Sequence, residues 1–211
     1  MSICYAIKKR NDFIVRYSDR VPKFLLSRDI YLNRLPIDTS DIVFIGDSQT
    51  QFFSLTEEFN NIHIKNRGII GDSSIGLLYR LSYITKSKPK KIFIQIGLND
   101  VLHGTNPQII ADNILKIINR IKNDSPLTKI YIQNILPSSI KIGNRPIIQE
   151  IRQINASIYR FTQQTNVTYI DLFSQFEIND KLNEKFNSGD DMHLNSEGYK
   201  KWVEIVKPYV L

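Results

Sequence analysis

The sequence predicts an α/β fold: a central parallel sheet of about five strands with helices on both faces, a three-layer α/β/α sandwich. Three observations predict it. Beyond residue 40, short β-branched and apolar runs alternate with longer helix-like stretches, the rhythm of a parallel sheet whose crossovers are helices. The 211 residues suit one domain. Hydrophobic residues at 42% against 23% charged supply an ordinary globular core. A fully disordered or collagen-like chain is thereby excluded. The single cysteine, Cys4, excludes a disulfide framework and a four-cysteine zinc site.

The elements follow in order. Asp41–Ile45, Ile62–Lys65, Lys91–Ile96, Lys129–Ile135 and Val167–Ile170 read as strands. Between them, residues 74–85, 107–121 and 147–165 read as helices, and 196–209 as the last one. Asn106-Pro107 supplies a capping residue with proline at the first helical position. Ile109, Ile110, Ile114, Ile117, Ile118 and Ile121 then recur at helical spacing. Asn195 or Ser196 caps the last helix, which carries Trp202, Val203, Ile205 and Val206 and is expected to end at Pro208. There is no internal repeat and no Gly-, Pro- or Ser-rich linker. The expected organisation is an N-terminal arm, residues 1–40, packed on a domain of residues 41–211. Phe13, Ile14, Tyr17, Val21, Phe24 and Leu25 form its apolar side.

A net charge of +7 invites a nucleic-acid reading, but its location argues otherwise. Residues 1–36 hold eight basic and three acidic side chains, leaving 20 basic and 18 acidic groups on the other 175 residues. The body of the protein is close to neutral, so no nucleic-acid partner is expected. The run Lys86, Lys88, Lys90, Lys91 reads as a solvated loop before a strand. No apolar run approaches the roughly 18 residues of a spanning helix, and none resembles a signal peptide. The expectation is a cytoplasmic protein with no integral membrane association. The sequence leaves open a homo-oligomer.

Four motifs place polar groups after strands or before a helix. Asp41–Ile45 runs straight into Gly46-Asp47-Ser48, where ligand sites of parallel sheets lie. Ser48 is thus a candidate nucleophile; the plainer reading is a turn in which Ser48 caps a helix. The tripeptide recurs as Gly71-Asp72-Ser73, farther from its strand, where Ser73 or Ser74 reads more simply as a cap. Gly71 in that loop is free to aim its N–H at a ligand. Thr50 and Ile75 break the Gly-x-Ser-x-Gly elbow in both copies, which disfavours the usual α/β-hydrolase. After Lys91–Ile96 comes Gly97-Leu98-Asn99-Asp100, where Asn99 makes either an oxyanion donor or an Asx turn. In Asp190-Asp191-Met192-His193, a carboxylate three residues before a histidine can orient the imidazole. A metal reading of Asp190, Asp191 and His193 is weaker, because His63 and His103 follow no ligand spacing.

Together these blocks resemble the SGNH hydrolases, also called the GDSL family, over about residues 41–210. Gly46-Asp47-Ser48 resembles the nucleophile block. Asn66-Arg67-Gly68-Ile69-Ile70-Gly71-Asp72 resembles the second block, with its oxyanion glycine on Gly71 rather than Gly68. Gly97-Leu98-Asn99-Asp100 and Asp190-Asp191-Met192-His193-Leu194 resemble the third and last. Gln49 departs from the leucine of the GDSL name.

The resemblance implies a flavodoxin-like sheet and a serine esterase. Ser48, His193 and Asp190 would be its triad, and Ser48, Gly71 and Asn99 its oxyanion hole. It implies no metal and no other cofactor. The second block reads like the branch resembling platelet-activating-factor acetylhydrolases and bacterial carbohydrate O-acetylesterases. The expected substrate is therefore a short acyl ester, acetyl first, of a carbohydrate, glycan or other small molecule. Alternatives are a lysophospholipase or acyl thioesterase on the same site, or a non-catalytic glycan- or ester-binding protein on the same fold. Residues 101–105 and 138–145 are expected as pocket loops, with Tyr79, Phe52 and Phe53 as candidate lining.

Overall fold

β-Branched and aromatic residues dominate four of the five strands that organise the protein. The strands are β1 (Ile42–Gly46), β2 (Ile64–Gly68), β3 (Lys91–Gln95), β4 (Lys129–Gln133) and β5 (Thr168–Ile170). They form one parallel sheet in the order β2-β1-β3-β4-β5. That is the flavodoxin-like order, in which chain direction across the sheet reverses beside β1 and opens a crevice at the carboxyl ends. The computed structural model describes residues 23–211. Phe13, Ile14, Tyr17 and Val21 of the expected arm lie outside the described residues, and the side chains of Phe24 and Leu25 are not described.

The helices are α1 (Lys23–Asn33), α2 (Ser48–Gln51), α3 (Leu55–Phe59), α4 (Ser74–Arg80), α5 (Ser82–Lys86), α6 (Leu98–Leu102), α7 (Pro107–Asp124), α8 (Ile148–Thr162), α9 (Phe173–Phe176) and α10 (Ser196–Val210). Ile37–Leu211 forms one compact unit, and α1 belongs to the unit before it. No described helix is long and apolar enough to cross a membrane.

Alternate strand residues face opposite ways, and the two faces differ in chemistry. Val43, Ile45, Ile92, Ile94, Ile130 and Ile132 face an almost wholly aliphatic core. Ile110, Ile114, Ile117 and Ile121 of α7 and Ile151, Ile154 and Ile158 of α8 complete it. Phe44, Phe93 and Tyr131 face the other way. They occupy one register across β1, β3 and β4, and their rings stack at 4.4 and 4.5 Å between centroids. Trp202, Val206 and Val210 of α10 complete this second core.

Several expectations shift. The second strand starts at Ile64 and runs on through Lys65, Asn66 and Arg67. β2 is an edge strand, so polar residues are tolerated there; Ile62, expected inside it, is 76% exposed. The expected helix 74–85 breaks at Leu81 into α4 and α5. Pro208 lies inside α10, which continues to Val210. Lys91 is buried rather than solvated, and its Nζ donates to the carbonyls of Tyr209 and Val210 at 2.7 and 3.0 Å.

Candidate active site

β1 is buried along its length and delivers the chain into the one-turn helix α2. Asp47 caps that turn, with Oδ1 accepting the Gln49 N–H at 3.0 Å. Gly46 sits where a Cβ would collide with the Gln95 backbone oxygen and Thr50. The turn can therefore pack this closely on β3 only with glycine. Asn66 in β2 braces α2 from below, donating to the Thr50 and Phe53 carbonyls at 2.6 and 3.0 Å.

Ser48 Oγ lies 2.8 Å from His193 Nε2. On the far side of the ring, His193 Nδ1 lies 2.5 Å from Asp190 Oδ2. Asp190 Oδ1 accepts the N–H groups of His193 and Met192 at 2.7 and 3.1 Å. Partial burial pushes the Asp190 carboxyl up, but the bonds from His193 and Met192 outweigh it. They hold the group well below the usual carboxylate range. Such a chain of serine, imidazole and ionised carboxylate can pass a proton from the hydroxyl to the ring while the carboxylate steadies the imidazolium.

The other expected residues gather at the same sheet edge. Gly71 follows β2 with φ of +76°, the conformation that glycine adopts without strain. Gly68 is less suited to aim at a ligand, because its N–H donates to Asn66 Oδ1 at 2.9 Å. Asn99 lies in the first turn of α6, and its Nδ2 donates one proton to the Asp72 carbonyl at 2.9 Å. That bond fixes the amide beside the Gly71 loop and leaves its second proton for another acceptor. Ser73 caps α4, accepting the Gly76 N–H. Asp100 accepts the Ser74 N–H and hydroxyl, both at 2.7 Å.

Three acids lie buried under this edge. Asp72 pairs with Arg80 at 2.7 Å, and burial pushes its carboxyl up against that pairing. Burial pushes Asp100 up as well. Asp47 rises to about 7, through burial first and then the nearby Asp72 and Asp100. Among the described residues, Asp47 Oδ2, Gln49 Oε1, Thr50 Oγ1 and Gln95 Oε1 are buried without a hydrogen-bond partner.

Reasoning from sequence missed the contacts that hold the histidine loop. Gln49 Nε2 donates to the Met192 carbonyl at 2.5 Å. Ser138 Oγ and the Ser139 N–H donate to the Asp191 carbonyl at 2.8 and 3.0 Å. The expected stretch 138–145 also borders a cavity of about 420 Å³, with Ser138, Lys141, Arg145, Pro146 and Ile148 on its wall. Phe52 lies beside the His193 ring at 5.5 Å, whereas Phe53 is buried against Phe44 and Trp202. Asp191 Oδ1 accepts from Asn187 Nδ2 at 3.0 Å. Among the described residues, the one group able to gather on a metal is Asp38, Asp41 and His63, at the amino end of β1. Its atoms are already engaged by Ser40 and Lys65.

Residues 44–201 match the GDSL-like Lipase/Acylhydrolase family. The chain is 29% identical over 191 residues to platelet-activating factor acetylhydrolase IB subunit alpha2 of Homo sapiens, covering 83% of this chain and 79% of that protein. In fold it is similar to a GDSL-like lipase from Bacteroides thetaiotaomicron, at TM-score 0.78 and 22% identity over 88% of this chain and 96% of that one. It is also similar to the acetylxylan esterase Axe2 from Geobacillus stearothermophilus, at TM-score 0.68 and 17% identity over 83% and 96%.

Proposed function

The chain belongs to the GDSL-like Lipase/Acylhydrolase family and is a carboxylic ester hydrolase, and from that premise we propose a serine esterase acting on short acyl esters, acetyl first, of a carbohydrate or small alcohol. The observation that carries the reading is the run from Ser48 Oγ through His193 to Asp190, at 2.8 and 2.5 Å. Residues 41–211 constitute the hydrolase domain in this reading.

Ser48 Oγ attacks the acyl carbonyl as His193 Nε2 takes its proton. A serine hydroxyl is a poor nucleophile until a base removes that proton during attack. The ionised Asp190 fixes Nδ1–H toward itself and stabilises the imidazolium. The Ser48 N–H, the Gly71 N–H and the second Asn99 amide proton receive the oxyanion; one such donor is typically worth roughly 3–4 kcal/mol of barrier. His193 returns the proton to the leaving alcohol. Water then attacks the acyl-enzyme, His193 takes its proton, and the released Ser48 recovers one. None of these steps calls on a cofactor.

Two relatives support the acetyl assignment by what they are called: one is an acetylhydrolase and the other an acetylxylan esterase. Phe52 beside His193 gives the acyl group an apolar neighbour. A chain-length series of p-nitrophenyl esters, followed by acetylated sugars, tests this. Acetate should be cleaved with the highest kcat/KM. A strong preference for octanoate overturns the acetyl assignment and favours the lysophospholipase or thioesterase alternative. Binding of acetylated sugars without turnover overturns the enzyme mechanism.

A further inference from the structure

Ser48 and His193 stand 145 positions apart in the chain, yet their atoms must meet within a few tenths of an ångström. The loop carrying His193 is stiff in itself. Asn187 Oδ1 accepts the N–H groups of Gly189 and Asp191, and the Ser188 N–H donates to the His193 carbonyl at 2.9 Å. Stiffness alone does not set the loop's height above the sheet. Its external anchors do. Ser138 and Ser139 hold the Asp191 carbonyl from the segment after β4. Gln49 holds the next carbonyl, that of Met192, from the nucleophile turn itself.

We infer that Gln49 is a positioning residue: its side-chain amide clamps the loop bearing His193 onto the turn bearing Ser48, and so sets the distance between them. Gln49 is adjacent to Ser48, and Met192 is adjacent to His193. The bond therefore bridges nucleophile and base one residue away from each. The Gln49 side chain is fully buried, so water does not compete for the bond. Its backbone is committed as well: the N–H donates to Asp47, and the carbonyl accepts the Tyr199 hydroxyl at 3.0 Å. Those backbone bonds survive any side-chain change, which makes the amide separable by mutation. A leucine here matches the volume but donates nothing. Gln49 Oε1 has no partner, so the site keeps glutamine in an environment where half of its amide is unsatisfied. The Nε2 bond is the gain that offsets that cost.

This inference rests on the serine esterase reading, and the test separates the two. Wild type, Ser48→Ala, Gln49→Leu and Gln49→Glu are assayed as full chains with p-nitrophenyl acetate, with thermal melts alongside. Gln49→Leu should lower kcat roughly 10- to 100-fold, the scale of a small misplacement of reacting groups. KM should stay within about twofold. In Gln49→Glu the carboxylate lacks a proton to donate until it is protonated. Its kcat relative to wild type should therefore rise as pH falls from about 8 to about 6, a recovery that mere space-filling does not give. The clamp is overturned if Gln49→Leu keeps kcat within about twofold, or loses it only in proportion to unfolded protein. If Gln49→Leu fails to fold, a pH-independent Gln49→Glu ratio overturns it. Turnover surviving in Ser48→Ala instead removes the esterase reading beneath it.

Discussion

The tripeptide Gly-Asp-Ser occurs twice in this chain, and the two copies do different work. At Gly46-Asp47-Ser48 the chain leaves a buried strand directly. Glycine there admits the close approach of β3, the aspartate caps a single turn, and the serine hydroxyl meets His193. At Gly71-Asp72-Ser73 the chain has already left β2. Glycine takes φ of +76°, the aspartate pairs with Arg80, and the serine caps α4. Three identical letters thus yield a nucleophile candidate in one place and a left-handed glycine with a structural ion pair in the other. What separates them is the distance from the strand end. A serine two residues past the last strand residue projects over the sheet edge, and one five residues past it does not.

Mutating matched positions tests the contrast. The largest effect is expected at the serines. Ser48→Ala should lower kcat by roughly 10⁴- to 10⁶-fold, while Ser73→Ala keeps it within about twofold; the reverse pattern in steady-state kinetics breaks the comparison.

The aspartates come next. Asp72→Asn removes the buried carboxylate that pairs with Arg80 and should destabilise the fold by roughly 3–5 kcal/mol in denaturant unfolding. Asp47→Asn should act in the opposite direction, and only at higher pH. The native Asp47 carboxyl is raised from 3.8 to about 7. Between those values the native state keeps a proton that the unfolded chain has released, so wild-type stability falls as pH rises through that window. The asparagine variant escapes this loss. It should melt higher than wild type at about pH 8, by the equivalent of roughly 1–4 kcal/mol, with the gain vanishing near pH 4. An equal gain at both pH values removes titration as the cause. The smallest effect belongs to the second serine as a cap: Ser73→Ala should cost about 1 kcal/mol in the same unfolding assay.

Much of the fold was legible because the strands advertise themselves. Ile42–Ile45 and Ile92–Ile94 are buried on both faces and read as unbroken apolar runs, as interior parallel strands do. The apolar pattern starts β2 two residues early because this edge strand carries Lys65, Asn66 and Arg67, which mimic a loop. A lysine run signals solvent, yet Lys91 is buried, because its partners lie 118 and 119 residues away at the end of α10. The candidate site residues stand out in the sequence for a different reason. Each follows a strand or precedes a helix, so chain order alone brings them toward one edge. The Gln49–Met192 bond carries no local signature. Its two ends are separated by 143 positions, and a glutamine after a serine looks like any polar turn residue.

The bond from Lys91 to the end of α10 turns that helix into a ruler. One end is fastened to the amino edge of the sheet, where β3 begins, and the other carries the loop of His193 toward the carboxyl edge. Fifteen helical residues span about 22 Å at 1.5 Å each. The helix therefore fixes, in whole residues, how far the start of α10 stands from the amino edge, and the anchors at Asp191 and Met192 seat the loop from there. Adding or removing one residue within α10 shifts its two ends relative to each other by about 1.5 Å and about 100°, which sets the Lys91 bonds against the anchors of the His193 loop. Trp202, Val206 and Val210 fix the face of this helix in the core, and the gap between its two moorings fixes its length.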